Sequence, residues 1–330
     1  MMRRYGVLRA IAITVLGLSG ASVALPSMQA QAQEGAQTIC VVVPHFKDEY
    51  WLSVGYGLQE EATEEGATLL FYESGGYHAL QRQVSLMQTC LAKGADAILL
   101  GAVSADAPAL LGAVEEASAE VPILALVNEL HAPQLVASIG VDWREMGKAV
   151  GRFVAERHPE GTKTMRVGFV TGPEDSGWSP LLEGGLRVGL QGSSAKIVAV
   201  RRADTGLREQ LREVEDLLTT QPDLDYLIGS APAIEGAMGL AERLGRPFPK
   251  MIATYISHSV RRGLQSGKVM AVPFDDPVAQ GRLGIRAALA AMGSESIADM
   301  AGPSIVLMDT QHPDVAAIPL SPASLVLAIE

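Results

Sequence analysis

From Thr38 onward, short runs of consecutive apolar and β-branched residues take turns with longer stretches whose apolar positions recur at helical spacing. Thr38-Ile39-Cys40-Val41-Val42-Val43 opens the series as an unbroken run, the pattern of a strand covered on both faces. A helix is predicted over 50–65 with Gly66 as its stop, a strand over 69–72, and a helix over 80–93 stopped by Gly94. A strand over 97–101, a helix over 107–119 and a strand over 121–127 follow. The alternation then restarts, with helices over 146–157, 181–190, 207–219, 233–244 and 278–292. Its strands fall over 165–171, 196–201, 226–229, 251–255 and 269–274. Strands separated by helices mean parallel β-α-β units, so the fold class is α/β. The restart implies a second α/β lobe, and the length agrees, because a single core seldom serves about 300 residues. Only Ile139-Gly140-Val141-Asp142 lies between the halves, a joint short enough to act as a hinge.

The segment before Thr38 has a different character. Arg3, Arg4 and Arg9 precede a nearly unbroken apolar run over 10–25, and Ala30-Gln31-Ala32 supplies small residues ahead of Glu34. This is the pattern of a secretory signal peptide over 1–32, cleaved after Ala32. The run is shorter than the roughly 20 residues of a membrane-spanning helix. Cleavage would remove three arginines and leave 23 basic against 37 acidic side chains, a net charge of −14. Such a surface suits neither nucleic acid nor anionic lipid, which call for clustered Lys and Arg. The expected compartment is the periplasm, where an isolated pair of cysteines tends to oxidise. Cys40 opens the first strand and Cys90 closes the second helix, at the same end of the sheet. A disulfide is expected, with two buried free thiols as the alternative.

Parallel α/β sheets bind ligands at the carboxyl ends of their strands, so the loops that follow the strands carry the functional question. After the first strand comes Pro44-His45-Phe46-Lys47-Asp48-Glu49-Tyr50-Trp51; after the second, Glu73-Ser74-Gly75-Gly76-Tyr77. Trp143 stands at the junction of the halves, and Tyr255 ends the strand over 251–255. Aromatic residues make up only 5% of the chain, so their placement in four such loops marks a candidate ligand cage.

The stretch over 40–57, Cys-Val-Val-Val-Pro-x-x-Lys-Asp-x-Tyr-Trp-Leu-Ser-x-x-Tyr-Gly, resembles the TorT family of type I periplasmic binding proteins. Glu73-x-Gly75-Gly76-Tyr77, Leu126-Val127-Asn128, Gly140-Val141-x-Trp143 and Tyr255-x-Ser257-His258 carry the resemblance into both halves. It implies two Rossmann-like parallel-sheet lobes joined by a short multi-crossover hinge. One lobe would span 36–141 plus 277–301, the other 142–276 plus 302–330. It also implies a sensor that binds trimethylamine N-oxide between the lobes and regulates a TorS-like membrane sensor histidine kinase. Trp51, Tyr77, Trp143 and Tyr255 would then form the cage, with Asp48 and Asp275 as nearby acids and Tyr50 beside them. Aromatic faces suit a compact methylated cation, contributing about 0.5 to 2 kcal/mol each. Its oxide oxygen accepts hydrogen bonds that an indole N–H, a phenol O–H or a backbone amide can donate.

Sugar-binding relatives place Asp-Arg and Asn-Asp pairs where this chain has Asn128-Glu129 and Ala231-Pro232. That weakens the rival reading, an ABC-importer receptor for a sugar or quaternary amine. Trp178, in the loop over 172–178, is a departure, since the family pattern has a small residue there. The six histidines form no His-Glu-x-x-His pattern, and neither a phosphate loop nor a Gly-x-Ser-x-Gly elbow occurs. The expectation is a binding protein without a cofactor or a metal, and not an enzyme.

Overall fold

The computed structural model describes residues 36–330 apart from 246 and 294–297, so the expected signal peptide over 1–32 lies outside the described residues. The first sheet is built from β1 (Thr38–Val43), β2 (Thr68–Glu73), β3 (Ala97–Leu100), β4 (Ile123–Leu126) and β5 (Ala137–Ile139). The helices α1 (Glu49–Glu65), α2 (Leu80–Ala92) and α3 (Pro108–Ser118) connect them. The chain then crosses to a second sheet, where α4 (Trp143–Arg157) leads into β6 (Met165–Thr171), α5 (Ser179–Gly189), β7 (Ala195–Arg202), α6 (Leu207–Thr220) and β8 (Tyr226–Gly229). Beyond it come α7 (Ala231–Leu244), β9 (Lys250–Ala253), α8 (His258–Gln265) and β10 (Ala271–Phe274). It returns through α9 (Pro277–Met292) to β11 (Met300–Ala301), and crosses again to β12 (Val306–Asp309) and a short 3-10 turn over Pro313–Ala317.

The first sheet has the order β11-β5-β4-β3-β1-β2, all pairs parallel, and the second β7-β6-β8-β9. Both place their first strand inside and their second outside, the doubly wound arrangement that puts the carboxyl ends of the central strands at a crevice. Burial follows from it: Ile39, Cys40, Val41 and Val42 of β1 are wholly buried, as an internal parallel strand requires. The predicted strands and helices are all present with small shifts at their ends. The structure adds five elements that the pattern did not announce: β5, α8, β11, β12 and the 3-10 turn over Pro313–Ala317. They are short, and their apolar positions are too few to set a period.

Two helix pairs approach with backbone against backbone. A Cβ on Gly57 of α1 would run into the carbonyl of Val278 on α9, and one on Gly281 into that of Val54. Between α4 and α5, Gly147 faces the carbonyl of Leu182 and Gly185 that of Arg144. In the first pair the buried Glu61 of α1 is met by the Arg286 guanidinium of α9. Cys40 and Cys90 are disulfide-bonded and tie β1 to α2 across 50 positions. Closing a loop of that length contributes about 4 kcal/mol on the chain-entropy account.

The crossings between sheets run side by side, with the Gly140 amide donating to the Ala301 carbonyl at 2.9 Å. The end of the chain departs from the expectation that 302–330 belong wholly to the second lobe. Leu327 and Phe46 both fill the space beside Gly55, Ile329 bridges to Phe71, and the Glu330 amide donates to the Phe71 carbonyl at 2.9 Å. β2 has an open edge, and the tail satisfies its backbone groups there.

Candidate functional site

Three loops of the first lobe, those after β1, β2 and β4, converge with the start of α4 and the loops after β6, β7 and β9 on one compact cavity. Asp48, Tyr50, Trp51, Tyr77, Val127, Asn128, Trp143, Trp178, Thr205 and Tyr255 line it, packed so closely that the free space among them is about that of one water molecule. The rings stand mostly edge to face, as aromatic quadrupoles prefer. Tyr50 and Tyr255 have centroids 5.3 Å apart, Trp143 and Trp178 5.3 Å, Trp178 and Tyr255 5.8 Å, and Tyr77 and Trp178 6.3 Å.

Local structure fixes each ring. Asp48 caps α1, its Oδ1 accepting the Tyr50 amide at 3.0 Å, so Tyr50 and Trp51 leave the first turn of that helix toward the cavity. Gly101, at the end of β3, leaves room for the Trp51 indole, which a Cβ would meet at 2.6 Å. Asp142 caps α4 in the same manner and sets Trp143 at its first residue. Val127 has φ of 67°, unusual for a β-branched residue. The Asn128 amide closes a three-residue turn on the Leu126 carbonyl at 2.7 Å, and that turn aims the Val127 carbonyl at Trp143 Nε1, 3.0 Å away. The Trp143 indole N–H is therefore committed to the backbone, and the ring's offering to a ligand is its face.

Two buried carboxylates stand behind the phenols. Tyr255 donates its hydroxyl to Asp48 Oδ2 at 2.7 Å, and Tyr50 donates to Asp275 Oδ2 at 2.7 Å. Gln280 Nε2 donates to the same Asp275 oxygen at 2.9 Å. Burial pushes both aspartates up to about 6, against the opposing pull of the phenol hydrogen bonds. The phenols of Tyr50, Tyr77 and Tyr255 are likewise raised by burial, so they remain neutral donors. Asn128 Nδ2 donates to the Tyr77 hydroxyl oxygen at 3.1 Å and to the Ala102 carbonyl at 2.8 Å.

Six of the seven residues expected at the site line the cavity: Asp48, Tyr50, Trp51, Tyr77, Trp143 and Tyr255. Asp275 does not. It lies one hydrogen bond behind Tyr50, wholly buried, and so orients a ring of the cage without facing its interior. Asp276 caps α9 through its Oδ1 and the Ala279 amide at 3.0 Å. Sequence reasoning did not assign Trp178, Asn128, Val127 and Thr205 to the site. Trp178 had a signal, a large aromatic in a strand-end loop; Thr205 and Val127 had none. Outside the cavity, Asp106, His131, Glu174 and Asp175 line an adjoining cleft in which His131 pairs with Asp106. Among the described residues no group of three His, Cys, Asp or Glu is placed to hold a metal ion.

Three ties cross between lobes around the cavity. Asp204, after β7, accepts from the Tyr77 amide at 2.9 Å and pairs with His45 Nε2 at 3.0 Å and His78 Nδ1 at 3.1 Å. Burial raises the Asp204 carboxyl, but the His45 hydrogen bond and charge and the Tyr77 amide outweigh it and hold the group down at about 2. On the opposite side Glu49 Oε2 accepts the Ser259 amide of α8 at 2.8 Å, and the Tyr255–Asp48 bond lies between the two. The lobes are closed on each other.

Residues 39–296 match the family model described as periplasmic binding protein domain. Periplasmic protein TorT of Escherichia coli K12 is 34% identical over 280 residues, 84% of this chain and 80% of that protein. The TorS sensor domain–TorT complex solved in the presence of TMAO (trimethylamine N-oxide) superposes with a TM-score of 0.78 at 31% identity, covering 89% of this chain and 100% of the matched one. An ABC transporter solute binding protein from Bradyrhizobium sp. BTAi1 with bound Bis-Tris gives 0.73 at 33% identity, covering 89% of each chain.

Proposed function

The chain belongs to the periplasmic binding protein family, and from that premise we propose that it is a periplasmic sensor, not an enzyme, that binds trimethylamine N-oxide between its lobes and regulates a TorS-like sensor histidine kinase. One observation carries the reading: a compact cavity walled by Tyr50, Trp51, Tyr77, Trp143, Trp178 and Tyr255, with a buried carboxylate in its lining. Ring faces attract a methylated nitrogen bearing positive charge, by about 0.5 to 2 kcal/mol per contact and more where water is excluded. A sugar demands many fixed donors and acceptors, and each left unmatched costs about 1 to 3 kcal/mol. Here most polar groups already bond one another, which leaves little for hydroxyls.

The ligand would bridge residues after β1, β2 and β4 to residues after β6, β7 and β9, and so favour the closed arrangement. Closure changes the joint surface of the lobes, and a partner that prefers one arrangement reads the ligand through it. We assign 36–141 with 277–301 to one lobe and 142–276 with 302–326 to the other, the last residues going with the first. The importer reading is favoured by the Bradyrhizobium relative. A neighbouring sensor kinase gene speaks for sensing, and a permease with an ATPase speaks for import. Calorimetry of the processed protein against trimethylamine N-oxide, choline, betaine and ribose, with and without the sensor domain, tests the proposal. Binding of the N-oxide in preference to ribose is expected; ribose binding alone would overturn it.

A further inference from the structure

Trp178 is 2% exposed and lines the cavity, yet its indole Nε1 has no hydrogen-bond partner. Among the described residues of the cavity lining, no other side chain has a buried polar atom left without one. Three of the neighbouring donors are committed: Trp143 Nε1 to the Val127 carbonyl, the Tyr50 hydroxyl to Asp275, and the Tyr255 hydroxyl to Asp48. A buried N–H without an acceptor costs about 1 to 3 kcal/mol, so its retention at a ligand cavity calls for an acceptor that arrives with the ligand. The placement is built in. Gly172 leaves the space that the indole fills, for a Cβ there would run into the ring, and the ring is held against Trp143, Tyr255 and Tyr77.

Across the cleft the Tyr77 oxygen already accepts from Asn128, so its own proton is free to point elsewhere. A phenol of one lobe and an indole of the other thus flank the same space. Resting on the reading of the site as an amine-oxide cavity, we propose that Trp178 donates its indole N–H to the ligand's oxygen and thereby selects amine oxides over quaternary ammonium cations of similar size. The ring faces alone bind both classes; the N–H distinguishes them. Because Trp178 comes from the second lobe, the same bond ties the ligand's oxygen to closure.

The test compares trimethylamine N-oxide with tetramethylammonium, which keeps the methylated cation and lacks the acceptor. Trp178→Phe keeps a stacked ring and removes the donor. We expect it to lose about tenfold or more in affinity for the N-oxide, and clearly less for tetramethylammonium, which loses only the difference between a Trp and a Phe face. A second readout stays on the wild-type protein, which has 3 tryptophans. The indole ¹⁵N–¹H signal that is missing from Trp178→Phe should move downfield with the N-oxide and not with tetramethylammonium. Equal losses for both ligands, no loss for either, or an unmoved Trp178 signal would overturn the role of the N–H. Wild-type protein that binds no N-oxide would instead overturn the amine-oxide reading, and this inference with it.

Discussion

Asp48 shows at residue scale how one side chain serves structure and site together, since one oxygen caps α1 and the other holds Tyr255. Its cost appears as pH dependence. Asp48 and Asp275 both stand at about 6 in the folded protein against an ordinary value near 4. Each therefore favours folding below about pH 4, and that contribution is lost as pH rises through about 6, on the order of 3 kcal/mol apiece. Raised Glu235 and His131 act in the same direction, and lowered His158 opposes them. Asparagine at 48 and 275 retains the cap and an acceptor and removes the charge. Melting temperature should rise on going from pH 7.5 to 5 in the wild type and markedly less in the Asp48→Asn/Asp275→Asn double variant; parallel profiles would refute the assignment. Trp143 makes a second case. Trp143→Phe keeps a ring over the cavity but leaves the Val127 carbonyl without its donor in a strained turn. We expect a loss of about 1 to 3 kcal/mol in denaturant-measured stability, beyond any effect on ligand affinity. The loops of this site were legible in sequence because large aromatics are rare and conspicuous. The commitment of one indole to a backbone carbonyl was not, because it depends on a turn that only the neighbouring strand fixes.

At the scale of elements, glycine placement decides how closely helices meet. Gly184 and Gly185 are adjacent in α5, yet a Cβ on Gly184 meets nothing within 4 Å while one on Gly185 would strike the Arg144 carbonyl of α4. Gly184→Ala should stabilise the protein by about 0.5 to 1 kcal/mol, since alanine restricts the unfolded chain and suits a helix. Gly185→Ala should destabilise by about 1 to 3 kcal/mol or more, because neither backbone can yield without unpacking the pair. Chemical denaturation of the two variants checks both signs. Helical period announced α5 correctly, yet it carries no sign of which glycine faces the partner. That depends on the crossing of α4, an element assembled from a different part of the chain.

For the whole molecule the question is the balance between open and closed lobes. Asp204 gathers His45, His78 and the Tyr77 amide from the first lobe, so it acts as a clasp at one side of the cleft. Asp204→Ala should weaken ligand binding by about tenfold, since apparent affinity falls with the fraction of molecules able to close. Small-angle scattering should show a larger radius of gyration for the ligand-free variant. Unchanged affinity together with unchanged dimensions would remove Asp204 from the closure equilibrium. The clasp escapes sequence reading for a plain reason: Asp204 lies 159 positions from His45, and nothing in either local pattern names the other.

The sequence by itself determined the α/β alternation, the two lobes and most of the aromatic cage. Strand burial and helical period are local properties, and parallel sheets place strand-end loops together whatever those loops contain. Tertiary structure alone decided that Asp275 supports Tyr50 from behind and that the chain's end returns to β2. It also decided that Trp178 enters the cavity with its N–H unpartnered. Each of these turns on which groups remain unsatisfied once the lobes have met, and hydrogen-bond saturation is a property of the closed assembly, not of any segment read alone.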